Sequence, residues 1–340
     1  MQKFVNAIWY PSNKPSLMFM LLRYLLLPLS VLFFLVSTAR RYLFKVGVNQ
    51  AISLPVPVII VGNITVGGSG KTPTVIYLIE LLRKQGLRPG VISRGYGIEF
   101  DGVRVVEPGM DTSEVGDEPA MIVARTGVAM VIGADRVSAA KELIKRGDVD
   151  VIISDDGLQH YKLERDIELV ILDGERRLGN GALLPAGPLR EGAWRMGHVD
   201  FVIVNGEAHH DEYQMALAPS GLKAVAPGNL STFEQQTATA IAGIGNPQRF
   251  FNTLAQEGYL IDKTHAFDDH QAYTAEVLSQ VVGDAPVLMT EKDAVKCRDF
   301  AKDNWWYLAV DAKLSSTFES KLMDKVHSVI EQKKGKSDGI

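Results

Sequence analysis

Short unbroken apolar runs alternate with stretches in which apolar residues recur every three to four positions. Val58, Ile59, Ile60 and Val61 form one such run, the pattern of a strand buried on both faces. After a glycine-rich turn come Val75, Ile76, Leu78, Ile79, Leu81 and Leu82, spaced as one face of a helix. Further runs at 90–93, 129–132, 149–154, 167–172 and 201–204 predict strands, with helical patterns at 119–125 and 136–145 between them. This alternation predicts an α/β, doubly wound sheet whose functional loops lie at the carboxyl ends of its strands. Between 206 and 231 the periodicity fades, and Pro219, Gly221, Pro227 and Gly228 mark turns, so a domain boundary is expected there. Strands at 238–244, 258–261, 287–290 and 305–310, with helices at 248–256 and ending at 282, then predict a second, smaller α/β domain. The expected division is 1–38, 39–230 and 231–330. Residues 331–340, with Lys333, Lys334 and Lys336, are expected as a frayed tail.

The segment 18–36, MFMLLRYLLLPLSVLFFLV, is apolar over nearly the length a bilayer requires, although Arg23 lies inside it and Pro28 would kink it. Arg40, Arg41 and Lys45 follow, a cluster that tends to stay on the cytoplasmic side. A signal peptide would need a small-residue cleavage site, which the run lacks, and a buried core helix is the other alternative. The reading adopted is a membrane-associated N-terminal helix that spans the bilayer or lies in its plane. A mean hydropathy of +0.04, high for a soluble protein, agrees. The 340 residues carry a formal charge of −4, which argues against a general nucleic-acid binder. The single cysteine, Cys297, excludes an intramolecular disulfide, and no Cys/His metal spacing is present.

The turn after the first strand reads Thr65, Val66, Gly67, Gly68, Ser69, Gly70, Lys71, Thr72. Strand, glycine-rich loop and helix together are the context of a phosphate-binding P-loop, although Thr65 stands where the commonest pattern has its first glycine. Backbone N–H groups of such a loop turn inward around a polyphosphate, Lys71 meets the β and γ phosphates, and the Thr72 hydroxyl ligates Mg²⁺. The run 149–154 ends in Asp155 and Asp156, carboxylates suited to a magnesium ion between nucleotide phosphates. Asp117 precedes a helix, as an N-cap or as a functional carboxylate. Arg136 follows another strand end, as a phosphate-neutralising cation or a solvated helix-start residue. The turn-rich stretch 180–191, ending in Arg190 and Glu191, is a substrate-facing loop or a connector.

The ordered set VGNITVGGSGKTP, SRGYG, VGDEP, GADR, ISDDGLQH, NGALLPAGPLRE, AIAGIGNPQRFF, DDHQAY and MTEKDAVK, behind a hydrophobic N-terminal helix, resembles the tetraacyldisaccharide 4′-kinase family over nearly the whole chain. Thr65 is shared with that family. The resemblance implies an ATP- and Mg²⁺-dependent kinase at the cytoplasmic face of the inner membrane. It would phosphorylate the 4′-hydroxyl of a tetraacylated glucosamine disaccharide 1-phosphate to give lipid IVA. It also implies that Asp117 pairs with His270 in proton transfer, that Arg136 stabilises the transferring phosphoryl group, and that Arg190 and Glu191 meet substrate or position a loop. The expected partners are the lipid and the membrane surface, with neither nucleic acid nor a protein partner. The rival is a P-loop GTPase or ATPase acting as a membrane-associated switch or transport subunit. A guanine-reading element would have to come from Thr290-Glu291-Lys292-Asp293, where the lysine is one place late.

Overall fold

The computed structural model describes residues 2–11, 16–147, 149–229, 231–234, 236–269 and 271–337. The run at 58–61 forms β1 (Val58–Gly62), and the helical pattern behind it forms α3 (Lys71–Lys84). Then follow β2 (Pro89–Ser93), β3 (Val103–Val106), α4 (Thr112–Val115), α5 (Asp117–Thr126), β4 (Ala129–Gly133), α6 (Arg136–Arg146), β5 (Val151–Asp155), β6 (Ile167–Asp173) and β7 (Phe201–Asn205). β1 pairs in parallel with both β5 and β6, at the point where the winding of the chain reverses, so the loop after β1 opens into the crevice at the strand ends. Ile59 and Val61 point to one face, into a core shared with α3 and α5, while Val58 and Ile60 face α6. Cover on both faces is why β1 reads as an unbroken apolar run.

The stretch expected as a boundary instead contains a long strand, β8 (Tyr213–Ala224), which pairs in parallel with β7 and antiparallel with the later β12 (Trp305–Lys313). Its mostly part-exposed residues leave no clean alternation, and Pro219 lies at a register shift in the ladder. Through β8 the first half joins β9 (Ala238–Ala242), β10 (Ile261–Ala266) and β11 (Val287–Thr290) in one sheet of twelve strands. α7 (Pro247–Gln256), α8 (Ala275–Val282) and α9 (Glu291–Cys297) flank these. The tail expectation is corrected. Helix α10 (Ser316–Ser337) runs past 330 and returns to the first half, burying Phe318, Leu322 and Val326 in the β1 core. Lys333 donates to the Leu54 carbonyl at 2.9 Å and lies 3.1 Å from Asp166.

The N-terminus is two helices, α1 (Gln2–Trp9) and α2 (Leu17–Lys45). The 29 residues of α2 are long and apolar enough to cross a membrane by length and composition, and only 6% of its most apolar window is buried. That exposure is unlike a core helix, the second alternative above.

Candidate active site

Gly67 and Gly70 hold the loop after β1 with φ of +112° and +100°. At Gly70 the positive φ is what demands glycine in the turn into α3, while a Cβ there would come closest to the flexible end of Met215 on β8, at 2.9 Å from Cε. Thr65 donates both its N–H and its hydroxyl to Asn63 Oδ1, each at 2.7 Å, and so shapes the start of the loop. The Ser69 hydroxyl is buried without a hydrogen-bond partner. Thr72, also buried, lies in the first turn of α3. The loop's outer edge pairs with the 180–191 segment: Val66 N–H donates to Pro188 O (2.9 Å) and Arg190 N–H to Ile64 O (2.7 Å).

Four charged side chains named from sequence converge beyond this loop. Lys71 Nζ lies 3.5 Å from Asp156 Oδ1, and Arg190 Nη1 reaches the two oxygens of Asp156 at 3.2 and 3.0 Å. Burial pushes the Asp156 carboxyl up, but Lys71 and Arg190 outweigh it and hold the group below its ordinary range. Asp156 adopts a left-handed φ of +47°, uncommon outside glycine, which aims its side chain at both cations. Asp155 is almost wholly buried. Ser93 donates to its Oδ2 at 3.1 Å, while Oδ1 has no hydrogen-bond partner. Burial, then the neighbouring carboxylates Glu118 and Asp156, push its pKa up to about 7.

Arg136 is 3% exposed, which rules out a solvated helix-start role. Its Nη1 donates to Gly133 O at 2.8 Å and its Nε is buried without a hydrogen-bond partner. Burial lowers its pKa to about 10, so it remains a cation at neutral pH. The helix-cap alternative for Asp117 is also corrected. Gly116 occupies the N-cap position of α5, and Asp117 opens the helix with Lys296 Nζ at 3.4 Å. Its proposed partner His270 lies outside the described residues. Glu191 is buried, accepting hydrogen bonds from Gln159 (2.8 Å) and Tyr161 (2.7 Å), with Arg195 beside it at 3.3 Å.

The family model for tetraacyldisaccharide-1-P 4′-kinase (LpxK) matches residues 22–327. The chain belongs to this kinase family. The tetraacyldisaccharide 4′-kinase of Shewanella woodyi is 64% identical over 341 residues, covering all of both chains, and that of Shewanella sp. (strain MR-4) is 60% identical over 342 residues with the same coverage. The crystal structure of LpxK from Aquifex aeolicus, described as a complex with ATP, superimposes with a TM-score of 0.78 at 29% identity, over 91% of this chain and 99% of that one. The chain is therefore a kinase acting on the tetraacyldisaccharide precursor of lipid A. The guanine-reading alternative finds no support in the geometry: Lys292 pairs with Asp269 at 2.8 Å and Asp293 is fully buried.

In this 4′-kinase the two N-terminal helices grip the loop that carries Arg190. Asn180 N–H donates to Trp9 O (2.8 Å), Trp9 Nε1 to Pro185 O (3.0 Å), and Arg23 to Asn180 O (3.2 Å). Ser30, the one buried residue of α2 among the described residues, donates to Leu183 O at 2.8 Å and accepts from Ala186 N–H at 3.0 Å. Ser30→Val leaves the Ala186 N–H unpartnered, at about 1–3 kcal/mol, while Leu183 O keeps its hydrogen bond from Gly187 N–H at 3.0 Å. The expected result is a lower melting temperature and faster proteolysis within 180–191, and an unchanged protease map would show that α2 does not hold this loop. A groove of about 390 Å³ runs between α2 and the loop. Phe33, Phe34, Leu183 and Leu184 supply apolar lining, with Arg40, Arg41 and Arg190 among the other lining residues.

Glu118, Ser93 and Asn63 lie within the motifs quoted from sequence, but neither they nor Tyr161 were assigned to the site there. Ser93 and Asn63 at least lie at or just beyond strand ends, which the winding rule marks for inspection. Nothing local to Tyr161 or Glu118 foretells its neighbour.

Proposed function

We propose that the protein transfers the γ-phosphoryl group of ATP to the 4′-hydroxyl of a tetraacylated glucosamine disaccharide 1-phosphate at the cytoplasmic face of the inner membrane, giving lipid IVA. The observation that carries this reading is the meeting of Lys71, Asp155, Asp156 and Arg190 beside the glycine-rich loop, with Arg190 carried on the segment that α2 grips. The groove leads from an exposed apolar helix to Arg190, and so suits an acceptor with acyl chains at one end and a sugar at the other. Such a lipid does not leave the bilayer for a soluble enzyme, because each buried CH₂ is worth about 0.8 kcal/mol. The exposed apolar residues of α2 support a membrane-bound enzyme that goes to its substrate.

In this reading residues 65–72 cradle the phosphates, and Lys71 moves from Asp156 to the β and γ phosphates when nucleotide binds. A magnesium ion fits the donor set: the Thr72 hydroxyl and the carboxylates of Asp155 and Asp156 are hard oxygens, and Asp155 Oδ1 is buried with no hydrogen-bond partner. When bound, it neutralises phosphate charge. Asp117 accepts the proton of the sugar hydroxyl, with His270 orienting it and sharing the proton. Arg136 and Arg190 offset charge on the phosphoryl oxygens. Incubating the protein with γ-labelled ATP, Mg²⁺ and the tetraacyl disaccharide 1-phosphate should yield a labelled lipid, and Asp117→Asn should suppress it. Label released only as inorganic phosphate, or a preference for GTP, would overturn the assignment.

A further inference from the structure

The segment MTEKDAVK carries two deeply placed charges, Asp293 and Lys296, with side chains 0% and 3% exposed. Helices α5 and α9 pack antiparallel with an ion pair at each end. Asp117 at the start of α5 meets Lys296 near the end of α9 (3.4 Å), and Arg125 near the end of α5 meets Glu291 at the start of α9 (2.7 Å). Each charge also sits at the helix end whose dipole favours it. Lys296 is 3% exposed and touches Asp293 Oδ1 at 3.5 Å, with its ammonium 5.0 Å from the centre of the Tyr273 ring. Asp293 in turn is fixed by Gly243 N–H (3.0 Å), the Tyr273 hydroxyl (2.9 Å) and the Thr290 hydroxyl (2.6 Å). Asp293 is thus held by three donors besides Lys296, drawn from β11 and two separate loops. A buried lysine is costly unless its charge is matched, and here two carboxylates match it.

We propose that Lys296 is a positioning residue for the phosphoryl transfer, held by Asp293 so that its ammonium fixes the carboxylate of Asp117 in the orientation that receives the acceptor's proton. This rests on the reading of Asp117 as the base. Lys292, which pairs with Asp269 next to His270 in sequence, anchors the neighbouring loop to the same short helix. One segment thereby ties Asp117 and the loop 267–269 to a common frame, although the two are about 150 residues apart in sequence.

The test is a double-mutant cycle on the full-length enzyme in detergent micelles containing the lipid acceptor. Lys296→Met should lower kcat by about 10²-fold, the scale of a misplaced catalytic group. KM for ATP and for the lipid should stay within about threefold of the parent on the same grounds, because neither substrate touches Lys296. In an Asp117→Asn background the same substitution should cost nothing further, since the carboxylate it orients is gone. A kcat for Lys296→Met within twofold of the parent, or a loss that simply multiplies that of Asp117→Asn, overturns the proposal. An Asp117→Asn enzyme with parental kcat instead sinks the reading of Asp117 as base, a separate result. Thermal melting and affinity for a non-hydrolysable ATP analogue verify folding. Should Lys296→Met not fold, the same cycle with Lys296→Arg decides, because any kcat loss it causes must also vanish when Asp117 is Asn.

Discussion

Lys71→Ala is expected to lower phosphoryl transfer by about 10²–10³-fold or more, the scale of losing one preorganised charge from a transition state. Lys71 is 13% exposed in its side chain and rests on Asp156 at the mouth of the glycine-rich loop. No neighbour can take its place, because Arg190 already spans both oxygens of Asp156 and Arg136 is turned to Gly133 O. The fold should tolerate the change. The ion pair it breaks is partly exposed on the Asp156 side and contributes little to stability, so the melting temperature should move by only a few degrees. Steady-state transfer of labelled phosphate to the lipid, run beside a melting curve, separates the two effects. Near-parental turnover would remove Lys71 from the chemistry.

Asp155→Asn should lose activity and gain stability, two effects of opposite sign from one atom change. A fully buried carboxylate facing Glu118 and Asp156 binds its proton more tightly in the folded chain than in the unfolded one, with the pKa raised from 3.8 to about 7. Between about pH 4 and pH 7 the folded state therefore holds a proton that the unfolded state has released, and stability falls as pH rises through that window. The full penalty is present above pH 7 and absent below pH 4. Asparagine removes the charge, so at pH 8 the metal-free variant should be more stable than the parent by on the order of 4 kcal/mol. The gap should close towards pH 4. Denaturant unfolding at a series of pH values in a chelating buffer measures it, and a variant less stable than the parent at pH 8 would show that Asp155 is not strained in its ionised form. Activity is lost for a separate reason. An amide offers one neutral oxygen where the site has a carboxylate with an unpartnered Oδ1, so the magnesium ion has a weaker ligand. A carboxylate kept at a stability cost beside a phosphate loop is the trade-off expected of a functional site.

The strand, loop and helix from 58 to 84, the carboxylates at the end of β5 and the exposed apolar helix α2 were all legible in the sequence. Each is set by local spacing: a β-branched run buried on both faces, glycines where φ must be positive, and apolar residues over a bilayer's length. The motif order was enough to place the chain in its kinase family, and the comparisons agree. β8 was not legible, because its register is set by strands on both sides and interrupted near Pro219. Nor was the return of α10, whose helical register says nothing about which core it covers. The contacts of Asp156 with Arg190, Ser30 with Leu183 and Asp117 with Lys296 join residues tens to more than a hundred positions apart. Local periodicity determines which element a segment becomes, because a helix or strand needs only its own spacing to present an apolar face. Which charges meet depends on how those faces pack, and that is a property of the folded sheet as a whole.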